Sequence, residues 1–130
     1  MWKLASIAVF ALSGAAPEKS PTASLAEHVL VAMSDFSFSP AELILHHGQA
    51  YVLDFTNTSE RPHTFTAVRF FTHAKLLTEE KRAINHGGFI LAAGSSQTIT
   101  LIAPSAGVYD VRCMERDHVA MGMTGRIQVL

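Results

Sequence analysis

Apolar and polar positions alternate in short runs along most of this chain. Residues 28–40, "HVLVAMSDFSFSP", read as a strand with Phe36 and Phe38 two apart on one face, ended by Pro40. Residues 41–57, "AELILHHGQAYVLDFTN", give a strand, a turn at His47 and Gly48, and a second strand with Tyr51, Leu53 and Phe55 on one face. Asn57 to Pro62 is turn material, and "HTFTAV" after it alternates Phe65 and Ala67 with Thr64 and Thr66. Residues 69–86 lose the period of two. Ala74, Leu76, Leu77 and Ile84 around the charged "TEEKR" suit one or two helical turns with a solvated face, stopped at Gly87 and Gly88. Two strands around a Gly-Ser turn follow in residues 89–104, then "VYDVRC", which ends at Cys113, and finally "GRIQVL". Seven or eight short strands with one short helical insertion predict an all-β sandwich.

The N-terminus follows a different rule. Lys3, then the apolar run "LASIAVFAL" (residues 4–12), then "SGAA" have the three parts of an export signal. A spanning helix needs about 20 apolar residues, and this run stops at Pro17 and Glu18. The expected organisation is a cleaved signal over residues 1–16, a flexible leader over 17–28, and one domain over 29–130. A retained N-terminal anchor is the alternative. The expected location is periplasmic.

Composition narrows the function. The chain has 130 residues, 16% of them charged, and a net charge of −1. That size suits one domain, and the charge gives no footprint for nucleic acid or an anionic membrane surface. Cys113 is the only cysteine. In an oxidising compartment it has no intrachain partner, so it is a free thiol, an intermolecular crosslink or a thiolate held by something else.

Its neighbours favour the third reading. "CMERDHVAMGMTG" (residues 113–125) places His118, Met121 and Met123 in one loop between two strands. His63 opens an earlier strand behind Pro62, and strands ending at one pole of a sandwich would bring it to that loop. Two imidazoles, a thiolate and a weak thioether are the donor set of a blue-copper electron-transfer site. Of the two methionines, Met123 follows Gly122, where the chain is free to turn sharply. His28, His46, His47, His73 and His86 read as solvated.

With these residues in view, the chain resembles the small cupredoxins of the plastocyanin, pseudoazurin and auracyanin type. "DFSFSPAELILHHG" is similar to that family's first-strand pattern, "PHTF" to its first-histidine motif, and "APSAGVYDVRCMERDHVAMGMTGRIQV" to its closing motif. The resemblance implies a cupredoxin-like Greek-key β-sandwich holding one type 1 copper ion on His63, Cys113, His118 and Met123. It implies a monomeric carrier of single electrons, not an enzyme, whose redox protein partners dock near His118 and Met121, with Val119 and Ala120 completing an apolar patch. Copper handling at the same site is the alternative. Two departures stand out: Thr64 follows the first histidine where relatives often carry Asn, and charged "ERD" lies between Cys113 and His118. A multicopper enzyme is disfavoured, because Arg112 and Met114 flank the cysteine and the sequence has no His-x-His pair.

Overall fold

A computed structural model describes residues 26–116, 118 and 121–130. The expected signal segment, most of the expected leader, Val119 and Ala120 lie outside the described residues. The elements in order are β1 (Glu27–Ser34), β2 (Ser37–Ser39), β3 (Glu42–Leu45), β4 (Ala50–Asn57), β5 (His63–Thr66), α1 (Val68–His73), β6 (Lys75–Leu76), α2 (Thr78–Ala83), β7 (Gly88–Leu91), β8 (Ser96–Ile102), β9 (Gly107–Arg112) and β10 (Thr124–Val129). They build two five-stranded sheets, β2-β1-β4-β8-β6 and β3-β10-β9-β5-β7. Most pairings are antiparallel, but β1 runs parallel to β4 and β3 parallel to β10. The molecule is thus an all-β Greek-key sandwich with a short helical insertion. The strand count exceeds the expected seven or eight because brief pairings such as the two-residue β6 leave no periodic signal.

Two local readings change. Residues 28–40 are not one strand. The chain reverses at Asp35 and Phe36, so that Ser34 pairs with Ser37. Phe36 takes φ 65° in this two-residue hairpin. Phe38 faces the core, while Phe36 is half-buried away from it. Polar Ser-Asp and Ser around a phenylalanine were the turn chemistry; the Phe-x-Phe period masked it. The second change is at the leader boundary, since β1 begins at Glu27. Although solvent-facing as expected, His28 lies in this strand, with its Nδ1 3.1 Å from Asp54 Oδ2 on β4. His28, and after it the Thr98 hydroxyl, hold the Asp54 carboxyl below its ordinary value.

The core is aromatic at its centre. Phe55 of one sheet meets Phe65 and Phe89 of the other at ring distances of 4.6 and 4.8 Å. Phe38 packs edge-on to Phe65 at 5.4 Å. Each such pair adds about 0.5–1.5 kcal/mol beyond the area it buries. The segment over 69–93 feeds this core with Phe70, Phe71, Phe89 and Leu91. α1 buries Phe70 against Tyr109 at 5.7 Å, with Phe71 beside Phe65. β6 pairs with β8, and just beyond it Glu80 Oε1 of α2 accepts the Thr100 N–H at 3.2 Å. That arrangement covers an otherwise open sheet edge.

Close packing of β7 on β5 requires glycine at 88. A Cβ there would lie 2.5 Å from the Phe65 carbonyl oxygen and 2.8 Å from Thr66 Cα. Gly94 has φ 70° but open space around it. Gly88→Ala is expected to cost about 3 kcal/mol, because backbone must yield. Gly94→Ala is expected to cost about 1 kcal/mol, from the left-handed conformation alone. Urea midpoints of the two variants check this ordering; a smaller loss at 88 than at 94 would contradict it.

Candidate metal centre

Strand alternation builds most of the site. Along β9, Tyr109 and Val111 face the core, and Cys113, one residue past the strand, continues in phase and is fully buried. Along β10, Ile127 and Val129 face the core, and Met123, just before the strand, is again in phase and fully buried. On β5, His63 and Phe65 face inward while Thr64 and Thr66 face out. These three strands are neighbours in one sheet. His63 therefore approaches Cys113 from one side, and Met123 lies across the ladder on the other, where Cys113 N–H donates to the Met123 carbonyl at 3.1 Å.

His118 comes from the loop. Its N–H donates to the Glu115 carbonyl at 3.1 Å, and its own carbonyl accepts from Met121 N–H at 3.2 Å and Met123 N–H at 2.9 Å. Gly122 has φ 87°, which permits the sharp return into Met123. The expected turn is thus present. Met121 and Met123 have opposite environments: Met121 is 59% exposed and Met123 is buried.

The approach to His63 is equally fixed. Asn57, fully buried, donates through Nδ2 to the carbonyls of Arg61 at 2.7 Å and Leu91 at 3.0 Å. Its Oδ1 accepts from the Ser59 N–H at 3.0 Å and hydroxyl at 2.8 Å. A saturated amide in the turn before Pro62 holds the chain that presents the histidine.

The donor atoms converge. His63 Nδ1 lies 3.2 Å from His118 Nδ1, and Cys113 Sγ lies 3.3 Å from His118 Nδ1 and 3.8 Å from His63 Nδ1. Among the described residues this is the cluster of ligating side chains that fits one ion. First-row metals bind imidazole nitrogen and thiolate sulfur at about 2.0–2.3 Å. A trigonal plane of such bonds separates its ligand atoms by about 3.5–3.8 Å. The observed triangle is close to that size, so the residues fit a three-coordinate ion. With Met123 they make the type 1 copper pattern.

Thr64, the residue after His63, makes two outer contacts. Its hydroxyl accepts the Met114 N–H at 2.6 Å, and its own N–H points at Cys113 Sγ at 3.4 Å. Thr64 thereby ties the His63 strand to the cysteine segment. His46, His47, His73 and His86 are exposed, as expected. Reading the sequence missed two residues at the pole. Asp35 Oδ1 lies 3.1 Å from His63 Nε2, and the Phe36 ring meets His118 edge-on at 5.3 Å. Recognising Asp35 and Phe36 as a hairpin turn would have aimed them here.

Comparison with known proteins agrees with this geometry. No curated protein sequence matches the chain. Among solved structures, the dithionite-reduced auracyanin of the photosynthetic bacterium Roseiflexus castenholzii is 25% identical over 81% of this chain and 98% of its own, with a TM-score of 0.61. Auracyanin B is 22% identical over 81% and 89%, with a TM-score of 0.60. Auracyanin A of Chloroflexus aurantiacus, described as a "blue" copper protein, is 19% identical over 79% and 99%, with a TM-score of 0.55. The last two likenesses show the fold alone. The family model for the Cupredoxin-like domain matches residues 3–127, nearly the whole length, and the chain belongs to that family.

Proposed function

We propose that the protein is a mononuclear type 1 copper protein that carries single electrons, with His63, Cys113, His118 and Met123 as ligands. The observation that carries this reading is the convergence of two imidazole nitrogens and one thiol at a single buried point. Copper bound there would supply a one-electron Cu(I)/Cu(II) couple. The chain holds the donors ready on stiff elements. Cys113 and Met123 are fixed by the ladder, His63 by the Asn57 turn and β5, and His118 by the two N–H groups on its carbonyl. A scaffold so constrained favours little rearrangement between oxidation states. Burial also favours electron transfer over handing copper on, because His63, Cys113 and Met123 have no exposure and His118 has 9%. A donor that passes its metal to a partner needs ligands the partner can reach.

The same geometry suggests where electrons leave. His118 is the ligand nearest solvent, and exposed Met121 follows it in the loop. Redox protein partners docking near His118 and Met121 would meet an apolar surface beside a ligand edge; the Val119 and Ala120 part of that patch lies outside the described residues. No helix among the described residues is long and apolar enough to cross a membrane. We read the chain as an exported, periplasmic monomer without enzymatic activity of its own.

Three outcomes test this reading. Cys113→Ser is expected to lose the intense thiolate-to-copper visible band while far-UV circular dichroism stays that of a folded β protein; a surviving band would remove Cys113 from the ligand set. Met123→Leu removes sulfur donation to Cu(II) and should raise the reduction potential, whereas Met123→Gln adds an oxygen donor and should lower it. Both should still bind copper, and Met121→Leu should shift little. Redox titration of the three variants decides, and a large shift at 121 with none at 123 would reverse the assignment. Met121→Lys should keep the copper spectrum yet slow electron exchange with a physiological partner by stopped flow; an unchanged rate would move the docking surface elsewhere.

A further inference from the structure

The His63 ring is gripped on both edges. Its Nδ1 faces His118 and Cys113, and its Nε2 lies 3.1 Å from Asp35 Oδ1. The ring itself has no exposure, while the Asp35 side chain is 44% exposed. With Nδ1 directed at the metal position, Nε2 carries the proton and donates to the carboxylate. A buried N–H needs an acceptor, and here the acceptor carries a full charge, which makes the bond stronger than one to a neutral oxygen.

The carboxylate is held in place by its turn. Asp35 and Phe36 close the β1–β2 hairpin with Phe36 at φ 65°. Phe36 packs edge-on against His118, and the Arg61 guanidinium sits 5.9 Å from the centre of the Phe36 ring. The same two-residue turn therefore touches both ligand imidazoles. Its anchoring keeps Asp35 aimed at Nε2 although the side chain borders solvent.

We propose that Asp35 is a positioning and tuning residue for the copper site, acting through His63. This rests on the type 1 copper reading above. The hydrogen bond fixes the tautomer that leaves the Nδ1 lone pair free for the metal, and partial withdrawal of the Nε2 proton makes Nδ1 a stronger donor. The negative charge also attracts a divalent ion more than a monovalent one at the same position. Both effects favour Cu(II) over Cu(I), so Asp35 lowers the reduction potential.

The test compares Asp35→Asn, which keeps the shape and one acceptor oxygen but removes the charge, with Asp35→Ala, which removes both. Copper affinity in each oxidation state and the midpoint potential are measured beside wild type. Loss of such an outer partner typically costs about 10–100-fold in metal affinity. Asp35→Asn is expected to weaken Cu(II) about ten-fold relative to Cu(I), which raises the one-electron potential by about 59 mV. Asp35→Ala should rise at least as far, and the ¹⁵N shift of His63 Nε2 in the diamagnetic Cu(I) protein should change in both. A blue Asp35→Asn protein with wild-type potential would overturn the proposal, including the case where only folding stability has changed. If wild type itself gives no thiolate-to-copper band, the copper reading fails instead, so the two failures are told apart.

Discussion

Side-chain alternation on three neighbouring strands is the constraint on which the site depends. β5, β9 and β10 lie side by side, and the inward phase of each, carried one position to the pole of the sandwich or starting there, falls on His63, Cys113 and Met123. The period that puts Phe65, Val111 and Ile127 into the core also decides where the three donors point. A slip of one residue in any pairing would turn one of these donor side chains to solvent. The site is therefore as rigid as the core beneath it, where Phe55, Phe65 and Phe89 interlock the two sheets.

Everything else at the pole supports this frame. The Thr64 hydroxyl and the Met114 N–H join the first-histidine strand to the cysteine segment. Asn57 saturates the turn that feeds β5. The hairpin at Asp35 and Phe36 closes over the imidazoles from the other sheet. The fourth donor, His118, sits in the middle of the loop between β9 and β10, and that loop is knotted on the His118 carbonyl. A donor side chain from mid-loop gives the site one edge near solvent, His118, while His63, Cys113 and Met123 stay fully buried.

Much of this was legible in the sequence because it follows a period. Tyr51, Leu53 and Phe55 alternate into the core as their spacing requires, and the lone cysteine with its following histidine and methionines marks the site without any structure. Glycine at 122 separates the two methionines by their environments, as its backbone freedom suggests. Other features were hidden for physical reasons. The Phe-x-Phe spacing at 36 and 38 imitates a strand across what is a reversal, so Asp35 and Phe36 went unread as site residues. The role of residues 69–93 rests on long-range packing of Phe70 and Phe89, which no local pattern encodes. β6 is too short to carry a period at all, and its existence depends on the β8 edge it covers.

The folded chain brings two imidazoles and a thiol to one buried point before any metal arrives. Stepwise addition of Cu(II) to the purified metal-free protein tests it directly, with visible absorption and far-UV circular dichroism followed together. An intense thiolate-to-copper band is expected, saturating at one equivalent while the backbone spectrum stays constant. Absence of the band, or a band that grows only as the backbone spectrum changes, would contradict it.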